Sequence, residues 1–345
     1  MKEVKIIQYG VGAMGSLMVK TALKRNGLRL VGAIDQGKKV GMDLGEAIGL
    51  NRKLGISISG DPQTLLRNID ADLILHATSS FLDEVYPQIT MALEAGMNVV
   101  SICEELAYPW YRHPELAEKF DRLATDNGVT VLGTGVNPGF SLDGLVIHCT
   151  GLCAEVKRIT AKRISDSSLY GPRVLDRRGL GLSVDEWKKR GSEKKITGHI
   201  GSHESMGMIG DSLGWDLDET TEMPIEPIIA GVTIDLPNRK IEKGTICGYN
   251  QKAYALMGGE KVILFENEGR VYGKGQERRT EDSVHIEGSP EIKLTIRPGL
   301  PGDITTSSMA VNLIPHVVAS RPGLVSMKDL PNPAALIDMG KLFHY

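Results

Sequence analysis

Three glycines with the spacing of a dinucleotide-binding turn follow the first apolar segment of the chain. The strand predicted over Val4–Tyr9 runs directly into Gly10-Val11-Gly12-Ala13-Met14-Gly15, and a helix is predicted from Met14 to Lys24. In such a turn the first glycine permits the bend, the second lets backbone approach a pyrophosphate, and the third lets the helix pack closely on the sheet. The helix N-terminus offers free N–H groups to the phosphates. We therefore predict a cofactor site that contains Gly10, Gly12, Ala13, Met14 and Gly15.

An acidic residue closes the next predicted strand, Leu28–Ile34. Asp35 lies twenty residues after Gly15, where a carboxylate accepts hydrogen bonds from the adenosine ribose and disfavours a 2′-phosphate. The alternative is an acid that merely caps a turn. Lys38 and Lys39 follow closely and could hold a 2′-phosphate if Asp35 swings aside. The prediction is NAD or NADP, with NAD preferred.

Length and composition limit the class of protein. With 345 residues, 41% of them hydrophobic and 24% charged, the chain is long enough for two domains with separate cores. A formal charge of −3 gives no reason to expect a nucleic-acid partner. No run of eighteen apolar residues and no signal-like N-terminus is present, which predicts a cytoplasmic protein without a membrane contact. The four cysteines contain no CxxC pair, so we expect reduced thiols and no metal.

Short apolar strands alternate with amphipathic helices through the first third of the chain. The predicted elements are strand Ala71–Ala77, helix Leu82–Ala95, strand Asn98–Ser101, helix Pro114–Asn127 and strand Val129–Leu132. This alternation predicts an α/β fold with a doubly wound parallel sheet, a Rossmann domain, over residues 1–135.

The pattern changes after a glycine- and proline-rich hinge at residues 133–139. Strands then predominate, predicted at Glu155–Asp166, Ile228–Leu236, Gly244–Met257, Lys261–Glu268 and Glu291–Arg297, with helices at Ser183–Arg190 and His203–Leu213. We predict a second α+β domain, residues 136–300, built on a mixed or antiparallel sheet with helices on one face. Residues 301–345 are predicted to return to the first domain through a helix at Thr305–Ser320.

Residues just after parallel strands are the candidates for chemistry, because ligands bind beyond the carboxyl ends of such strands. Ala77, Thr78 and Ser79 follow one strand and suit the nicotinamide ribose. For the preceding His76 the alternative is a core histidine with its hydrogen bonds satisfied. Two carboxylates, Glu104 and Glu105, follow the next strand.

A carboxylate at the tip of that strand can take a proton from a substrate ammonium or activate a water. The alternative is that both glutamates are solvated acids that start a helix. Only one of them can face the ligand, and we prefer Glu104 because it comes first after the strand.

Four further residues are candidates for ligand binding. The amide of Asn137 binds cofactor or substrate, or it fixes its loop. Arg163 shares one strand face with Ile159 and Ala161, so it meets an internal acid or awaits an anionic ligand. Asp166 pairs with Arg163 or with a cationic group of a substrate. His199 is a polar wall for an anionic substrate or a plain surface histidine, and the glycines around it make a metal pair with His203 improbable.

Five segments of the sequence, residues 10–15, 40–46, 101–106, 133–140 and 321–331, carry a resemblance to a known family. Over essentially its full length the chain resembles the 2,4-diaminopentanoate dehydrogenase family. That family is a branch of the dihydrodipicolinate-reductase-like dehydrogenases and includes native amine dehydrogenases. The HHxxKxDxPSGT signature of the reductases is absent, and the corresponding region offers only His199 and His203.

The resemblance implies oxidative deamination of 2,4-diaminopentanoate at C4, with ammonia released and NAD(P) reduced, in ornithine fermentation. It implies that Glu104 is the catalytic acid–base group and that Asn137, Arg163 and His199, with Asp166 held more loosely, form the substrate wall. Arg163 would then anchor the C1 carboxylate. Two rival readings are a cyclic-imine reductase and a non-catalytic dinucleotide-sensing protein. We expect a homodimer, because second domains of this type often pair through a sheet face.

Overall fold

The computed structural model describes residues 3–168, 170–237 and 239–338. They form two compact units, one made of residues 3–139 and 304–338, the other lying within residues 140–303. The end of the predicted C-terminal segment, residues 339–345, falls outside the described residues.

The first unit alternates strands and helices along the chain, as the sequence predicts. Where a strand or helix was predicted, its ends differ from the prediction by three residues at most. The elements are β1 Val4–Tyr9, α1 Ala13–Ala22, β2 Leu28–Ile34, α2 Leu44–Ala47, β3 Ile58–Ser59, α3 Pro62–Asn68, β4 Leu73–His76, α4 Leu82–Glu94, β5 Asn98–Ser101, α5 Pro114–Asp126 and β6 Thr130–Gly133.

The second unit contains long strands and short helices. The predicted helix over Ser183–Arg190 is present with the full capping box of Ser183 and Glu186. The elements are α6 Gly144–Thr150, β7 Glu155–Asp166, α7 Pro172–Arg177, α8 Val184–Ser192, α9 Ser202–Leu213, β8 Glu219–Glu222, β9 Glu226–Ile229, β10 Ile234–Leu236, β11 Arg239–Ile241, β12 Ile246–Met257, β13 Glu260–Arg270, β14 Glu281–Ser289 and β15 Ile292–Ile296.

The chain ends, within the described residues, in two helices and a strand, α10 Gly302–Asn312, α11 Ile314–Val318 and β16 Gly323–Val325. The prediction of one continuous helix over Thr305–Ser320 is wrong, because Pro315 cannot continue the hydrogen-bond ladder and instead lies in the first turn of α11. Val311, Leu313, Ile314 and Val317 are buried against β1, β4 and β5. The predicted return to the first unit is therefore confirmed.

The first unit is built on one parallel sheet with strand order β16-β6-β5-β4-β1-β2-β3. Every paired neighbour in it runs parallel. The order reverses between β1 and β4, which is the switch point where an open sheet of this kind binds its ligand. The predicted doubly wound fold is confirmed.

The second unit is built on a mixed sheet, in which β7 runs parallel to β13 and antiparallel to β14. The predicted strand Ile228–Leu236 is wrong as a single element: β9 pairs with β12, whereas β10 forms a separate ribbon with β11. Between them, the backbone N–H of Ala230 donates to the carbonyl oxygen of Thr245, and its carbonyl oxygen accepts the N–H of Gly244. Helices α6 and α9 cover the face that carries Ile159, Ala161 and Phe265. No helix among the described residues is long and apolar enough to cross a membrane.

Candidate active site

The glycine turn after β1 has the geometry that a pyrophosphate needs. Gly10 has φ +88°, and a Cβ on it would lie 2.4 Å from the carbonyl oxygen of Ala77. A Cβ on Gly15 would lie 1.9 Å from the carbonyl oxygen of Gly10, so the helix is packed as closely as the sequence predicts. A Cβ on Gly12 would meet nothing within 4 Å, and no side chain caps α1 there. The turn thus leaves open space and uncapped N–H groups, which fits a dinucleotide.

Asp35 at the tip of β2 holds this turn from the other side. Its Oδ2 accepts a hydrogen bond from the backbone N–H of Val11 at 2.8 Å, and its Oδ1 accepts one from Gln36 at 2.6 Å. The Lys39 ammonium donates to the carbonyl oxygen of Val11. Because each carboxylate oxygen has two lone pairs, this loop-holding role leaves acceptor capacity for ribose hydroxyls.

The segment after β4 borders the same turn. Besides the approach of Ala77 to Gly10, the Thr78 methyl would lie 3.0 Å from a Cβ on Gly10. The Ser79 hydroxyl donates to Glu84, which ties the segment to the start of α4. The predicted cofactor role of Ala77, Thr78 and Ser79 stays a prediction, but the structure brings the first two to the glycine turn.

His76 is a core histidine with its hydrogen bonds satisfied, which is the alternative stated for it in the sequence analysis. Its Nδ1 lies 2.8 Å from the Ser101 hydroxyl, and its Nε2 lies 2.8 Å from Oε1 of Gln88 and 3.0 Å from the hydroxyl of Thr78. Burial lowers the pKa of the imidazole to about 4. The ring is therefore neutral and links the tips of β4 and β5.

This buried neutral ring predicts acid sensitivity of the fold. In the unfolded chain His76 binds a proton below its ordinary pKa of about 6.5, whereas in the folded protein it binds one only below about pH 4. The free energy of unfolding therefore falls as the pH falls from about 6.5 to about 4. The expected loss is at most about 3 kcal/mol. Urea unfolding of wild type and His76→Gln over this pH range tests it, and equal pH slopes for both proteins would contradict it.

The two glutamates after β5 have different environments. Glu105 is buried, its Oε2 accepts the backbone N–H of Leu82 at 2.7 Å, and it lies 3.8 Å from Nε2 of His113. It thereby stabilises the N-terminus of α4. Glu104 is half-buried and begins a short 3-10 turn, Glu104–Leu106, directly at the tip of β5. Glu105 therefore has a structural role, and the predicted catalytic role of Glu104 stays a prediction.

The side chain of Asn137 lies just beyond β6 with its hydrogen-bonding groups unused. Both Oδ1 and Nδ2 are buried and have no hydrogen-bond partner among the described residues. The loop is held instead by the N–H of Val136, which donates to the Thr306 hydroxyl at 3.1 Å. A buried carboxamide without partners is costly, so a bound ligand is the natural source of its hydrogen bonds.

In the second unit, Arg163 meets an internal acid. Its side chain is 4% exposed and Nη1 pairs with Asp282, whose side chain is 1% exposed. Nη2 donates to the carbonyl oxygen of Leu300 at 2.8 Å, and the N–H of Leu300 donates to Oδ2 of Asp282 at 2.7 Å. The charge of Arg163 is therefore compensated within the unit, while its predicted contact with substrate stays a prediction.

Asp166 does not pair with Arg163, so that alternative is wrong. Successive side chains of β7 alternate, which places residues 163 and 166 on opposite faces. Asp166 lies 3.5 Å from Nε of Arg278 and accepts the backbone N–H of Ser168 at 2.9 Å. Its predicted contact with a substrate cation stays a prediction.

His199 is not a plain surface histidine. Its backbone N–H donates to Oε1 of Gln251 at 2.7 Å, and its Nε2 is buried without a hydrogen-bond partner among the described residues. Burial, and then the charges of Arg178 and Arg163, lower the pKa of the ring to about 3. The imidazole is neutral at any working pH. His203, by contrast, bonds the Thr220 hydroxyl at 2.7 Å through Nδ1.

Arg178 belongs to this group of residues, and sequence reasoning missed it. Its guanidinium carbon lies 4.9 Å from the ring centroid of Tyr170 and 4.8 Å from that of Tyr249. Its Nη1 donates to the Ser167 hydroxyl at 2.9 Å. Nothing in the sequence distinguishes it from the adjacent Arg177.

A doubly wound sheet with this glycine turn and strand-tip acid, followed by a mixed-sheet unit, defines a two-domain dehydrogenase of the dinucleotide-binding class. Two family models match the chain: the 2,4-diaminopentanoate dehydrogenase C-terminal domain over residues 140–344, and the dihydrodipicolinate reductase N-terminus over residues 4–102. The chain belongs to the 2,4-diaminopentanoate dehydrogenase family.

Individual relatives agree with this membership. The chain is 38% identical over 338 residues to a 2,4-diaminopentanoate dehydrogenase of Acetoanaerobium sticklandii, which covers 98% of this chain and 96% of the relative. It is 25% identical over 366 residues to an amine dehydrogenase of Streptomyces virginiae, covering 98% and 99% of the two chains. The structure of an amine dehydrogenase from Mycobacterium smegmatis superposes with a TM-score of 0.86 at 28% identity, covering 96% of this chain and 97% of that one.

Proposed function

We propose that this enzyme catalyses the NAD(P)-dependent oxidative deamination of 2,4-diaminopentanoate at C4, giving 2-amino-4-oxopentanoate and ammonia in ornithine fermentation. The observation that carries the proposal is the 38% identity, over 98% of the chain, to a relative named for this substrate. The local structure supports the chemistry, because Glu104 follows the tip of β5 in the same parallel sheet whose β1 leads into a turn that fits a dinucleotide.

Glu104 begins the reaction as a general base. It takes a proton from the C4 ammonium, since only a neutral amine has the lone pair that drives hydride loss from C4. The bound nicotinamide supplies the hydride acceptor. The substrate then carries a C4 iminium, and the protonated Glu104 remains at the strand tip.

Glu104 also serves the hydrolytic half of the reaction. As a carboxylate, once its first proton has left to solvent, it removes a proton from the water that adds to the iminium carbon. The protonated Glu104 returns this proton to the carbinolamine nitrogen, the C–N bond breaks to release ammonia, and the hydroxyl proton leaves to solvent as the ketone forms. Counted from the C4 ammonium, one ammonium group and one water become one ketone and one ammonia, with one hydride transferred and two protons released.

The remaining site residues bind and orient. The orphaned amide of Asn137 supplies one donor and one acceptor to cofactor or substrate. On the substrate side we retain His199, Arg163 and Asp166. The charges of Arg163 and Asp166 are already balanced by Asp282 and Arg278, so each contributes hydrogen bonds more than net charge.

Preference for NAD over NADP is assigned to Asp35. Asp35→Asn keeps an acceptor for the Val11 N–H but removes the charge that opposes a 2′-phosphate, while Lys39 stays in place. We expect the ratio of kcat/KM for NAD to that for NADP to fall about tenfold, the effect of about 1.4 kcal/mol. Initial rates with each cofactor measure the ratio. Asp126→Asn, the same change at an exposed residue at the end of α5, is the control; an unchanged ratio in Asp35→Asn refutes the assignment.

The experiment that tests the function is NADH formation from NAD with racemic 2,4-diaminopentanoate, run beside ornithine, 2-aminopentanoate and simple 2-aminoalkanes. Turnover confined to the diamino acid supports the named reaction. Activity on the 2-aminoalkanes alone would indicate a general amine dehydrogenase. If the protein binds NADH but oxidises none of these amines, the imine reductase and the dinucleotide sensor become the favoured functions.

We further propose a cytoplasmic homodimer. The four cysteines are all unpaired thiols, which supports a reducing compartment. The face of the mixed sheet opposite α6 and α9 carries half-buried Leu264 and Tyr254 and the ion pair of Lys162 with Glu266, a mixture suited to an isologous interface. Sedimentation of the purified protein decides the oligomeric state.

A further inference from the structure

Arg178 is a half-buried cation whose charge no acid compensates. Within residues 3–168, 170–237 and 239–338, no carboxylate oxygen lies within ion-pair distance of its guanidinium. Its guanidinium lies over the rings of Tyr170 and Tyr249 and donates a hydrogen bond to the Ser167 hydroxyl. Arg163, in the same unit, differs in this respect because Asp282 neutralises it. Partial burial of an uncompensated charge is unfavourable, and an anionic ligand would relieve it.

The backbone that carries Arg178 is held in place. Arg178 is the C-cap of α7, and its carbonyl oxygen accepts the indole N–H of Trp187 at 3.2 Å. The next residue, Gly179, has φ +72°, and a Cβ there would lie 2.6 Å from the Trp187 ring and 2.8 Å from Ile196. The rings of Tyr170 and Tyr249 orient the guanidinium plane. A ligand therefore meets a donor group that is already positioned, which lowers the entropic cost of binding.

A second unsatisfied donor lies near this cation. Nε2 of His199 is buried without a partner among the described residues, and the neutral ring donates from it in the Nε2–H tautomer. The backbone N–H of Thr197 donates to the carbonyl oxygen of Arg177 at 2.9 Å. Gln251, which accepts the backbone N–H of His199, lies on the same face of β12 as Tyr249, the ring under Arg178. His199 and Arg178 are therefore carried by neighbouring segments. Asp282 balances the charge of Arg163, whereas no acid among the described residues lies at ion-pair distance from Arg178.

We infer that Arg178 is the specificity-determining residue of this enzyme: it binds the C1 carboxylate of the substrate through its guanidinium, assisted by Nε2 of His199. This inference rests on the proposed function and deepens it. It assigns the selection of a carboxylate-bearing amine over a simple alkylamine to a residue outside the set identified from sequence. The planar guanidinium matches a carboxylate in a bidentate pair, which a lysine ammonium cannot do.

The test compares Arg178→Ala, Arg178→Lys and wild type on 2,4-diaminopentanoate and on 2-aminopentane, which lacks the carboxylate. We expect kcat/KM for the diamino acid to fall about 30- to 1,000-fold in Arg178→Ala and less in Arg178→Lys, mostly through KM. The value for 2-aminopentane should stay within about threefold, below the cost of a lost charge-assisted hydrogen bond. Arg190→Ala, an exposed arginine of α8, is the matched control. Equal losses on both substrates, or no loss on either, overturn the inference.

A binding measurement separates this inference from the proposed function. The affinity of 4-oxopentanoate for the NADH-loaded protein is measured by calorimetry in wild type and Arg178→Ala, together with the melting temperature of each. If wild type fails to oxidise the diamino acid but binds 4-oxopentanoate through Arg178, the proposed function fails and the carboxylate site stands. If wild type does not bind it, or Arg178→Ala binds it equally well, the carboxylate site fails.

Discussion

Replacing Glu104 by glutamine is expected to lower kcat/KM for 2,4-diaminopentanoate by about 100- to 10,000-fold, the range that general acid–base groups supply. Glutamine preserves the size of the side chain and its hydrogen-bonding oxygen, but it cannot take the proton from the C4 ammonium. Because Glu104 lies at the strand tip and outside the glycine turn, the dissociation constant of NADH should change little. Steady-state rates at saturating NAD and a fluorescence titration with NADH measure the two quantities.

Glu105→Gln is the matched control, since the two residues differ by one position in the chain. Glutamine still offers an oxygen to the Leu82 N–H, so this variant should fold and keep kcat/KM within about tenfold of wild type, well inside the loss expected for a lost base. An active Glu104→Gln enzyme would fit a reaction that begins from an imine and needs no base. Equal losses in both variants would mean that the turn after β5, and not the Glu104 carboxylate, is what the substitutions disturb.

The local sequence was enough to predict the fold of the first unit, because each of its signals is short-ranged. β2 and β5 have the predicted ends, and the glycine turn lies where the spacing places it. The two predicted elements that are wrong lie where contacts with distant residues, or a single proline, determine the secondary structure. A strand over Ile228–Leu236 is apolar enough to be continuous, but its two halves bond different partners. Pro315 divides the segment Thr305–Ser320, which was predicted as one helix, into two helices.

The candidate site was less predictable, because burial and partners far along the chain determine it. Glu104 and Glu105 are equivalent by residue type, and the burial of Glu105 and its contacts with Leu82 and His113 separate them. The partner of Arg163 is Asp282, which lies 119 positions further along the chain, and no periodicity connects them. The nearby Asp166 was the simpler local candidate. Arg178 gave no signal, since its importance depends on two tyrosines and the absence of a nearby acid among the described residues.

The pair of Arg163 with Asp282 leads to a prediction about stability. Arg163→Met leaves Asp282, 1% exposed, as a buried charge without its partner, and should lower the free energy of unfolding by about 3–5 kcal/mol. Urea unfolding followed by circular dichroism measures the loss. If Arg163 served only to anchor the substrate carboxylate, as the resemblance implies, the same substitution would weaken catalysis and leave stability nearly unchanged.

Two control variants separate these cases. Arg158→Met removes an exposed arginine of the same strand that lies 3.6 Å from Glu287, and such surface pairs contribute about 0–1 kcal/mol. In the double variant Arg163→Met with Asp282→Leu the buried charge is gone, so part of the stability should return, less the hydrogen bonds lost by Leu300. A stable Arg163→Met protein that has lost activity only on carboxylate-bearing amines would transfer the anchoring role from Arg178 to Arg163. If Arg163→Met lowers the free energy of unfolding and the double variant recovers part of it, Arg163 has a structural role, and Arg178 keeps the role of binding the carboxylate.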